Sequence, residues 1–520
     1  MMRPFVFFIL FGSVFAFGIF TDAYILPKWL FAILALSLFA PVFIFNGTNA
    51  INRRFVSTIF SVVALLLCAM CFFAQIMCIW DTQNSPIATY DNVAGVIACL
   101  CPLLVYIIYG TGERFDAMKK VSVSLILFCI LSLKSRTGIL ASFLPLILYI
   151  FFNRGSIERV NSKTKWYTFF CLVMTLFFIT LGIGKIDSTK GRLLVWEVTL
   201  QMLSDALPFG FGCGGFERNY MNYQAEYFRH HTESAYALLA DNTTTPFNEY
   251  LHLIINYGLI GFVIFVTLIV LYSNWYKRCK SDKRYVSLCS ILSIGILSMF
   301  SYPFLYPVTW IMLALNFLCI MPQNYWYNLN LYGRNIAFCT TPIAICIASY
   351  VVKCGIDERM WREYSEMDNI ERKKNMVMKK KLDASFRDNQ YYNYAEALEK
   401  YETKDYERTL YHLSVCEKHM ADYDVLLLKV QSLLHLKKYK EVKQYAEQAH
   451  YMCPCRCYPL YYLALAYYAE NNIKMMRQVC EEIRNKKIKV NSWDIMAIRY
   501  LSKKIYTGEK MFSVESLIDI

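Results

Sequence analysis

The chain has 520 residues, of which 56% are hydrophobic and 18% are charged, and its mean hydropathy is +0.32. This composition excludes an ordinary soluble globular protein and predicts a polytopic membrane protein. The formal net charge of +14 lies largely in short loops between apolar runs, where it orients a membrane protein, so we expect no nucleic-acid partner.

Apolar runs long enough to cross a bilayer recur along the first two thirds of the chain. About eleven helices of the required length, roughly 20 mainly apolar residues each, are predicted. The first run resembles a signal peptide, but no good signal-peptidase cleavage site follows it and a second span comes at once. We therefore interpret it as an uncleaved transmembrane helix. The predicted spans are 4–20, 29–46, 55–79, 90–109, 118–133, 137–151, 167–184, 250–273, 285–301, 304–321 and 336–352.

Basic residues predict which loops stay in the cytoplasm. With the N-terminus inside, INRR at 51–54 and YKRCKSDKR at 276–284 fall on the cytoplasmic side. The long polar segment 185–247 then lies outside, together with the C-terminal region. That region carries a basic cluster at 371–381, but the cluster begins about 20 residues past the last span, where the charge rule has little force.

The sequence divides into a membrane region, 1–352, with its large loop at 185–247, and a soluble helical region, 353–520. The soluble region contains a weak repeat of about 33–34 residues. Its equivalent positions are Tyr406, Tyr439 and Ile473, then Ala397, Val430 and Ala464, then Leu413, Ala446 and Cys480. This repeat resembles tetratricopeptide helix pairs, with an irregular helical bundle as the alternative. We predict that the region docks a protein partner or packs within the chain.

The cysteine-rich stretch CPCRC at 453–457 is either a packing feature or a disulfide or metal site. No second ligand pair with finger-like spacing accompanies Cys453, Cys455 and Cys457, which favours packing.

Three polar patches fall on the predicted outer side. The first is KSRTG at 134–138, between two spans. Lys134 and Arg136 there go against the usual charge rule, and two cations at the outer surface suit the phosphates of a lipid-linked donor. The alternative is that both side chains extend to lipid headgroups.

The second patch is 191–228. Arg192 and Trp196 are spaced i, i+4 and share a helix face, and the apolar spacing predicts an amphipathic helix lying in the membrane interface. The run PFGFGCGGF at 208–216 ends that helix, and its glycines allow backbone N–H groups to approach an anion. Arg192 and Arg218 are therefore candidate ligands of a phosphate group.

The third patch is TTTPFNEYLHLIINYGLIG at 243–261, where a span begins. Asn248 and His252 are spaced i, i+4 at its mouth, and Glu249 lies between them. The helix dipole favours a carboxylate at a helix N-terminus, so Glu249 has a structural explanation. The dipole explains Asn248 and His252 less well. Polar groups at the edge of a bilayer favour a functional site.

Taken in order, these patches resemble the O-antigen ligase and polymerase superfamily. The matching features are SRTG before a span, GR…W at the start of the large loop, PFGFGCGGF, and the N-x9-G-x-x-G formed by Asn248, Gly258 and Gly261. The resemblance covers 118–262 closely and the other spans by architecture.

The resemblance implies an all-α, polytopic membrane protein of the GT-C type in the bacterial inner membrane. It implies an inverting, metal-independent glycosyltransferase with its large loop and C-terminal region in the periplasm. The donor would be a glycan on undecaprenyl diphosphate and the acceptor lipid A-core or a protein. Arg136 and Arg192 match the family's diphosphate-binding arginines. We expect no cofactor, and no DxD-like metal motif occurs in the outer loops.

The chain departs from the family at the residue before the motif asparagine, where ligases usually have histidine and this sequence has Phe247. A phenyl ring cannot accept a proton, so the base must come from a carboxylate or imidazole nearby. Glu249 and Asp241 are slightly favoured, and the other candidates are Glu233, His230, His231 and His252. The predicted catalytic group is Glu249, Asp241, Asn248 and Arg192, and the predicted substrate-binding group is Lys134, Arg136, Arg192, Arg218 and His252.

The first hypothesis is a ligase that transfers the glycan to lipid A-core. Polymerases share these motifs, and the C-terminal helical repeat would suit a protein acceptor, so an O-antigen polymerase and a protein O-oligosaccharyltransferase are the alternatives. A transporter of lipid-linked glycans is the alternative from another class, but the polar groups lie at one face and not at the bilayer midplane. A membrane-anchored scaffold would leave Lys134, Arg136 and Arg192 without a role.

Overall fold

A computed structural model describes residues 21–22, 25–46, 137–138, 140–141, 186–280, 283–489, 492–507 and 517–518. Every regular element within these ranges is a helix, which confirms the predicted all-α class. The α-helices are α1 (Leu26–Asn46), α2 (Ile186–Ala206), α3 (Gly215–His230), α4 (Glu249–Arg278), α5 (Lys283–Phe300), α6 (Pro307–Ile320), α7 (Gln323–Glu366), α8 (Asn369–Lys374), α9 (Met376–Ser385), α10 (Gln390–Glu402), α11 (Tyr406–Cys416), α12 (Tyr423–His435), α13 (Tyr439–Met452), α14 (Tyr458–Ala469), α15 (Ile473–Asn485) and α16 (Trp493–Thr507), with a 3-10 turn at Pro303–Leu305.

Two of the described helices are long and apolar enough to cross a membrane, namely α4 and the Asn335–Glu366 part of α7. Shorter apolar helices occupy Leu26–Ser37, Ser287–Phe300 and Pro307–Ile320. All five coincide with predicted spans. The predicted spans 4–20, 55–79, 90–109, 118–133 and 167–184, and most of 137–151, lie outside the described residues. The number of spans and the GT-C type therefore stay predictions.

The described residues divide into two compact units, one from 1–184 and 265–382, the other from 185–264 and 383–520. In the first unit α1 packs along α7. Side chains there satisfy backbone carbonyls among the apolar helices: the indole Nε1 of Trp29 donates to the Leu305 oxygen at 2.8 Å, and the Ser293 hydroxyl to the Ala141 oxygen at 2.6 Å. Buried polar groups in such helices need partners of this kind. The sequence-based division at residue 352 stays a prediction.

The second unit joins the large loop to the C-terminal helices. Leu194, Val198 and Met202 follow one face of α2 at i, i+4 and i+8, and all three are buried in a cluster with Phe216 and Tyr220 of α3. Protein, chiefly α3, covers this face, and the predicted position of the helix at the membrane interface stays a prediction. Amphipathic spacing alone does not distinguish burial in protein from burial in lipid.

The C-terminal helices form successive pairs, α10 with α11, α12 with α13, and α14 with α15. Asn389, Asp405, Asp422 and Asn472 cap the N-termini of α10, α11, α12 and α15 through side-chain oxygens. The predicted equivalences match the structure: Tyr406, Tyr439 and Ile473 each begin the second helix of a pair, and Ala397, Val430, Ala464, Leu413, Ala446 and Cys480 are all buried. The tetratricopeptide assignment itself stays a prediction.

Candidate functional site

Arg192 and Trp196 of α2 both contact the turn that precedes α4. The guanidinium carbon of Arg192 lies 5.6 Å from the centre of the Phe247 ring, and the indole Nε1 of Trp196 donates to the Pro246 oxygen at 3.0 Å. The two residues therefore share the helix face that the sequence predicts. Phe247, which occupies the position of the expected base, has a left-handed backbone with φ of 51° and packs against the arginine.

Asn248 caps α4. Its side-chain Oδ1 accepts hydrogen bonds from the backbone N–H groups of Tyr250 at 3.0 Å and Leu251 at 3.1 Å. These two bonds satisfy N–H groups that have no partner within the helix. The asparagine thus has a structural role, and its assignment to the catalytic group stays a prediction.

Glu249 and His252 form a pair on the first turn of α4. The Nδ1 of His252 lies 3.4 Å from the Oε2 of Glu249, and the glutamate side chain is 12% exposed while the histidine is 35% exposed. The carboxylate is thus sheltered and the imidazole reaches the surface. Such a pair can orient an acceptor hydroxyl or move a proton.

The glycine-rich run wraps around a break in α4. Helical geometry is interrupted at Gly258, with φ of 58° and ψ of −143°. Backbone N–H groups of Phe211 and Gly212 donate to the Ile255 and Asn256 carbonyls at 2.9 and 2.8 Å, and the N–H of Phe216 donates to the Asn256 side chain at 3.0 Å. These N–H groups are used within the chain, so they do not serve the anion-binding role predicted for the run.

Replacing Gly258 by alanine is expected to destabilise the protein by about 3 kcal/mol or more, because a side chain is strained at this backbone geometry and would also clash. An added Cβ would meet the Pro208 carbonyl oxygen at 2.2 Å. Thermal unfolding of the detergent-solubilised protein measures the effect. Gly191→Ala in α2, where the added carbon meets nothing within 4 Å apart from its own helical turn, is the matched control and should not lower the midpoint. Equal midpoints for the two variants would contradict the packing described.

Glu217, in the first turn of α3, is a titratable group that the sequence analysis did not single out. Burial raises the pKa of its carboxyl, while the charge of His252 and a hydrogen bond from the Gln390 side chain act in the opposite direction. The ring of the adjacent Phe216 meets the His252 ring edge-on, with 6.2 Å between centroids. His252 thus pairs with Glu249 and lies near enough to Glu217 to act on its pKa through charge, and we call these three residues the carboxylate–histidine cluster.

Asp241 lies at a different contact. Its Oδ1 accepts from the Arg456 Nη2 at 2.8 Å, and the same guanidinium reaches Asp424 at 3.4 Å. Asp241 thus joins the large loop to the C-terminal helices, which favours a packing role over that of a base.

The remaining predicted residues of the loop lie at the surface. Arg218 is exposed and donates through Nη2 to the Cys213 carbonyl at 3.3 Å. His230 pairs with Glu226 at 2.9 Å, and His231 stacks on the Tyr227 ring. Glu233 is exposed. Lys134 and Arg136 lie outside the described residues, and their role stays a prediction.

The CPCRC stretch packs against the loop. Cys453 is buried in the core that contains Tyr220, and Cys457 in the neighbouring C-terminal core. The Cys455 thiol donates to the Ala240 carbonyl at 3.7 Å. Within the described ranges, no group of three or more His, Cys, Asp or Glu side chains is placed to hold a metal ion.

A match to a known family covers the site just described. Residues 121–266 match the O-antigen ligase family. The matched segment contains Arg192, the glycine-rich run, Glu217 and the start of α4, so the carboxylate–histidine cluster lies within the residues that are similar to this family. No curated protein and no solved structure matches the chain.

The O-antigen ligase match supports a glycan ligase- or polymerase-type function with glycosyltransferase-like activity. The family consists of inner-membrane proteins of lipopolysaccharide biosynthesis, in keeping with the apolar helices. Donor and acceptor are implied only in general terms, as a lipid-linked glycan and a lipid.

Proposed function

We propose that the protein transfers a glycan from undecaprenyl diphosphate to a hydroxyl of lipid A-core at the periplasmic face of the inner membrane, with inversion at the anomeric carbon. The observation that carries this proposal is the position of Arg192. Its guanidinium lies over Phe247, which directly precedes the helix whose first turn carries Glu249 and His252. A cation and a proton-accepting group are thus gathered where a membrane helix begins.

Arg192 supplies what the leaving group needs. A diphosphate departs readily once its growing charge is countered, and a fixed guanidinium binds phosphate oxygens in a bidentate manner. Phe247 restrains the guanidinium through a cation–π contact, so little reorganisation is needed when charge develops.

Glu217 is the proposed proton acceptor in place of the missing histidine. A general base works best when its pKa is near the working pH. Burial raises the pKa of the Glu217 carboxyl, which brings it closer to that range. Glu249 and His252 form the rest of the cluster and orient the acceptor hydroxyl. Asp241, which the sequence analysis favoured, is engaged by Arg456.

The reaction is a single displacement. The acceptor oxygen forms a bond to the anomeric carbon on the face opposite the diphosphate, and its proton passes to the Glu217 carboxylate. The bond from the anomeric carbon to the diphosphate oxygen breaks, and its electron pair stays on the phosphate facing Arg192. Attack opposite the leaving group inverts the configuration at that carbon.

The order of the helices along the chain supports a position of the large loop and the C-terminal helices on the same side of the membrane. The two segments share a core, so they lie on one side of the membrane. Between them come α4, α5, α6 and α7, an even number of apolar helices. If only the two long helices cross, the number is still even. Either count agrees with both segments lying on one side of the membrane, which we propose to be the periplasmic side.

Deleting the gene is expected to remove long glycan chains from lipopolysaccharide and to leave them on the carrier lipid. The reason is that a ligase acts after the chain is complete. Gel electrophoresis of lipopolysaccharide, together with analysis of carrier-linked glycans, measures both pools, and re-expression of the wild-type chain is the control.

Two other patterns would contradict the ligase assignment. Single repeat units attached to core would identify a polymerase. Unchanged lipopolysaccharide with a lost glycoprotein band would identify a protein O-oligosaccharyltransferase.

A further inference from the structure

Helix α2 has a second apolar face, opposite the face that packs on α3. Leu193, Leu200 and Leu207 recur there at i, i+7 and i+14, and each is between 42% and 55% exposed. Seven residues make about two helical turns, so the three side chains lie in one line about 21 Å long, which we call the leucine stripe. Contiguous exposed apolar surface of this kind marks a contact surface.

Two acidic residues beside the leucine stripe are directed towards α3. The Tyr227 hydroxyl donates to the Oε1 of Glu197 at 3.3 Å, and the Tyr223 hydroxyl donates to the Oδ2 of Asp205 at 2.5 Å. Both tyrosines belong to α3, so their hydrogen bonds hold the two carboxylates on the side of α2 that faces that helix. The charges thus border the leucine stripe and turn away from it.

Phe209 follows the last leucine of the stripe by two residues and is 74% exposed. The backbone beside it is fixed to the break in α4, where the N–H of Leu259 donates to the Pro208 carbonyl at 2.8 Å. A Cβ added at Gly258 would lie 2.6 Å from the carbonyl carbon of Phe209, so the two backbones are in direct contact. Phe209 therefore lies at the level of residue 258 of α4.

The length of α4 places residue 258 at an edge of the bilayer. This helix is long and apolar enough to cross a membrane, and it ends with Lys277 and Arg278. Charged side chains are excluded from the hydrocarbon, which is about 30 Å thick and takes about 20 helical residues to cross. Counted back from Lys277, the opposite edge falls close to Gly258. Leu259 and Ile260, which follow it, are exposed, as lipid-facing side chains are.

We propose that the leucine stripe and Phe209 form a membrane-contact surface, which rests on the leaflet that faces the large loop. Through Phe209 the surface is continuous with the exposed apolar side chains of α4, and this continuity selects the bilayer as its partner. A helix with one apolar face towards lipid lies in the plane of the membrane interface. The face of α2 that meets lipid is then the one opposite Leu194, Val198 and Met202.

Contact with the bilayer also sets the depth of Arg192. This residue directly precedes Leu193, the first residue of the leucine stripe, so its guanidinium lies in the headgroup layer beside the hydrocarbon. The diphosphate of a carrier lipid occupies the same layer. This consequence rests on the proposed function, whereas the membrane contact itself does not.

The test uses the purified full-length chain in vesicles of phosphatidylethanolamine and phosphatidylglycerol, with photoreactive p-benzoylphenylalanine (Bpa) at one position per variant. After irradiation, Leu200→Bpa and Phe209→Bpa are expected to carry phospholipid adducts, which mass spectrometry measures. Ile264→Bpa, at an exposed position of α4, is the positive control. Glu447→Bpa is the matched negative control and should lose the adduct, because Glu447 is exposed on α13 and α3 separates α13 from the leucine stripe.

Absence of lipid adducts at both 200 and 209, with adducts formed at 264, would overturn the inference. Equal adduct yields at 200 and 447 would do the same, and so would an adduct of twice the protein mass, which identifies a contact between two copies. Adducts that form only after polyprenyl phosphate is added would assign the face to the donor's tail and not to the bilayer. If the Phe209 variant does not fold, Leu200→Bpa carries the test. The readout is a lipid adduct, so failure of the proposed transfer reaction leaves it unchanged.

Discussion

Arg192→Ala is expected to lower the rate of glycan transfer by about 100- to 1,000-fold, the usual effect of removing one preorganised group that stabilises developing charge. Loss of the cation–π contact with Phe247 costs about 0.5–1 kcal/mol, which by itself does not unfold a protein. The transfer rate of the purified protein measures the first effect, and its thermal midpoint measures the second.

Two further variants serve as comparisons for the transfer rate of Arg192→Ala. Arg192→Lys keeps the charge but loses the planar fork that binds two phosphate oxygens, so an intermediate rate is expected. Arg408→Ala removes an exposed arginine of α11 that pairs with Asp405 at 3.4 Å, and it should transfer at the wild-type rate. A folded Arg192→Ala protein with undiminished transfer would show that the diphosphate is held elsewhere.

Local sequence patterns predicted the features that depend on helical periodicity. The common face of Arg192 and Trp196 follows from 3.6 residues per turn, and both side chains do contact 246–247. The repeat register that aligns Ala397, Val430 and Ala464 was predictable for the same reason, since small residues recur where paired helices approach.

Contacts between segments that are far apart in the sequence leave no periodic pattern from which they could be predicted. Asp241 and Arg456 are 215 positions apart, and the Glu217 carbonyl accepts a hydrogen bond from the N–H of Ala421 in the C-terminal region. Glu217 was also easy to overlook, because an acidic residue in the first turn of a helix is expected from the dipole alone. The glycine run resembled an anion site because glycine permits close backbone approach, but the atoms approached are those of Asn256 and Gly258.

Glu217→Gln is expected to reduce transfer by about 100- to 10,000-fold, the usual contribution of a positioned general base. Glutamine keeps the shape and the backbone contact with Ala421 but cannot take the proton. The loss should therefore be in the catalytic rate more than in donor binding. Glu226→Gln is the matched control: it lies on the same helix, is exposed and pairs with Arg229 at 2.6 Å, and it should leave the rate unchanged.

Phe247→His in the Glu217→Gln background then separates a lost base from a distorted site. An imidazole at this turn titrates near neutral pH and can accept the proton, and histidine tolerates the left-handed backbone of residue 247 better than phenylalanine does. Partial recovery of transfer, with an acid limb near pH 6.5, is the expected result. If Glu217→Gln keeps the full rate while Glu249→Gln is inactive, the carboxylate beside His252 on α4 is the base, and Glu217 only supports it.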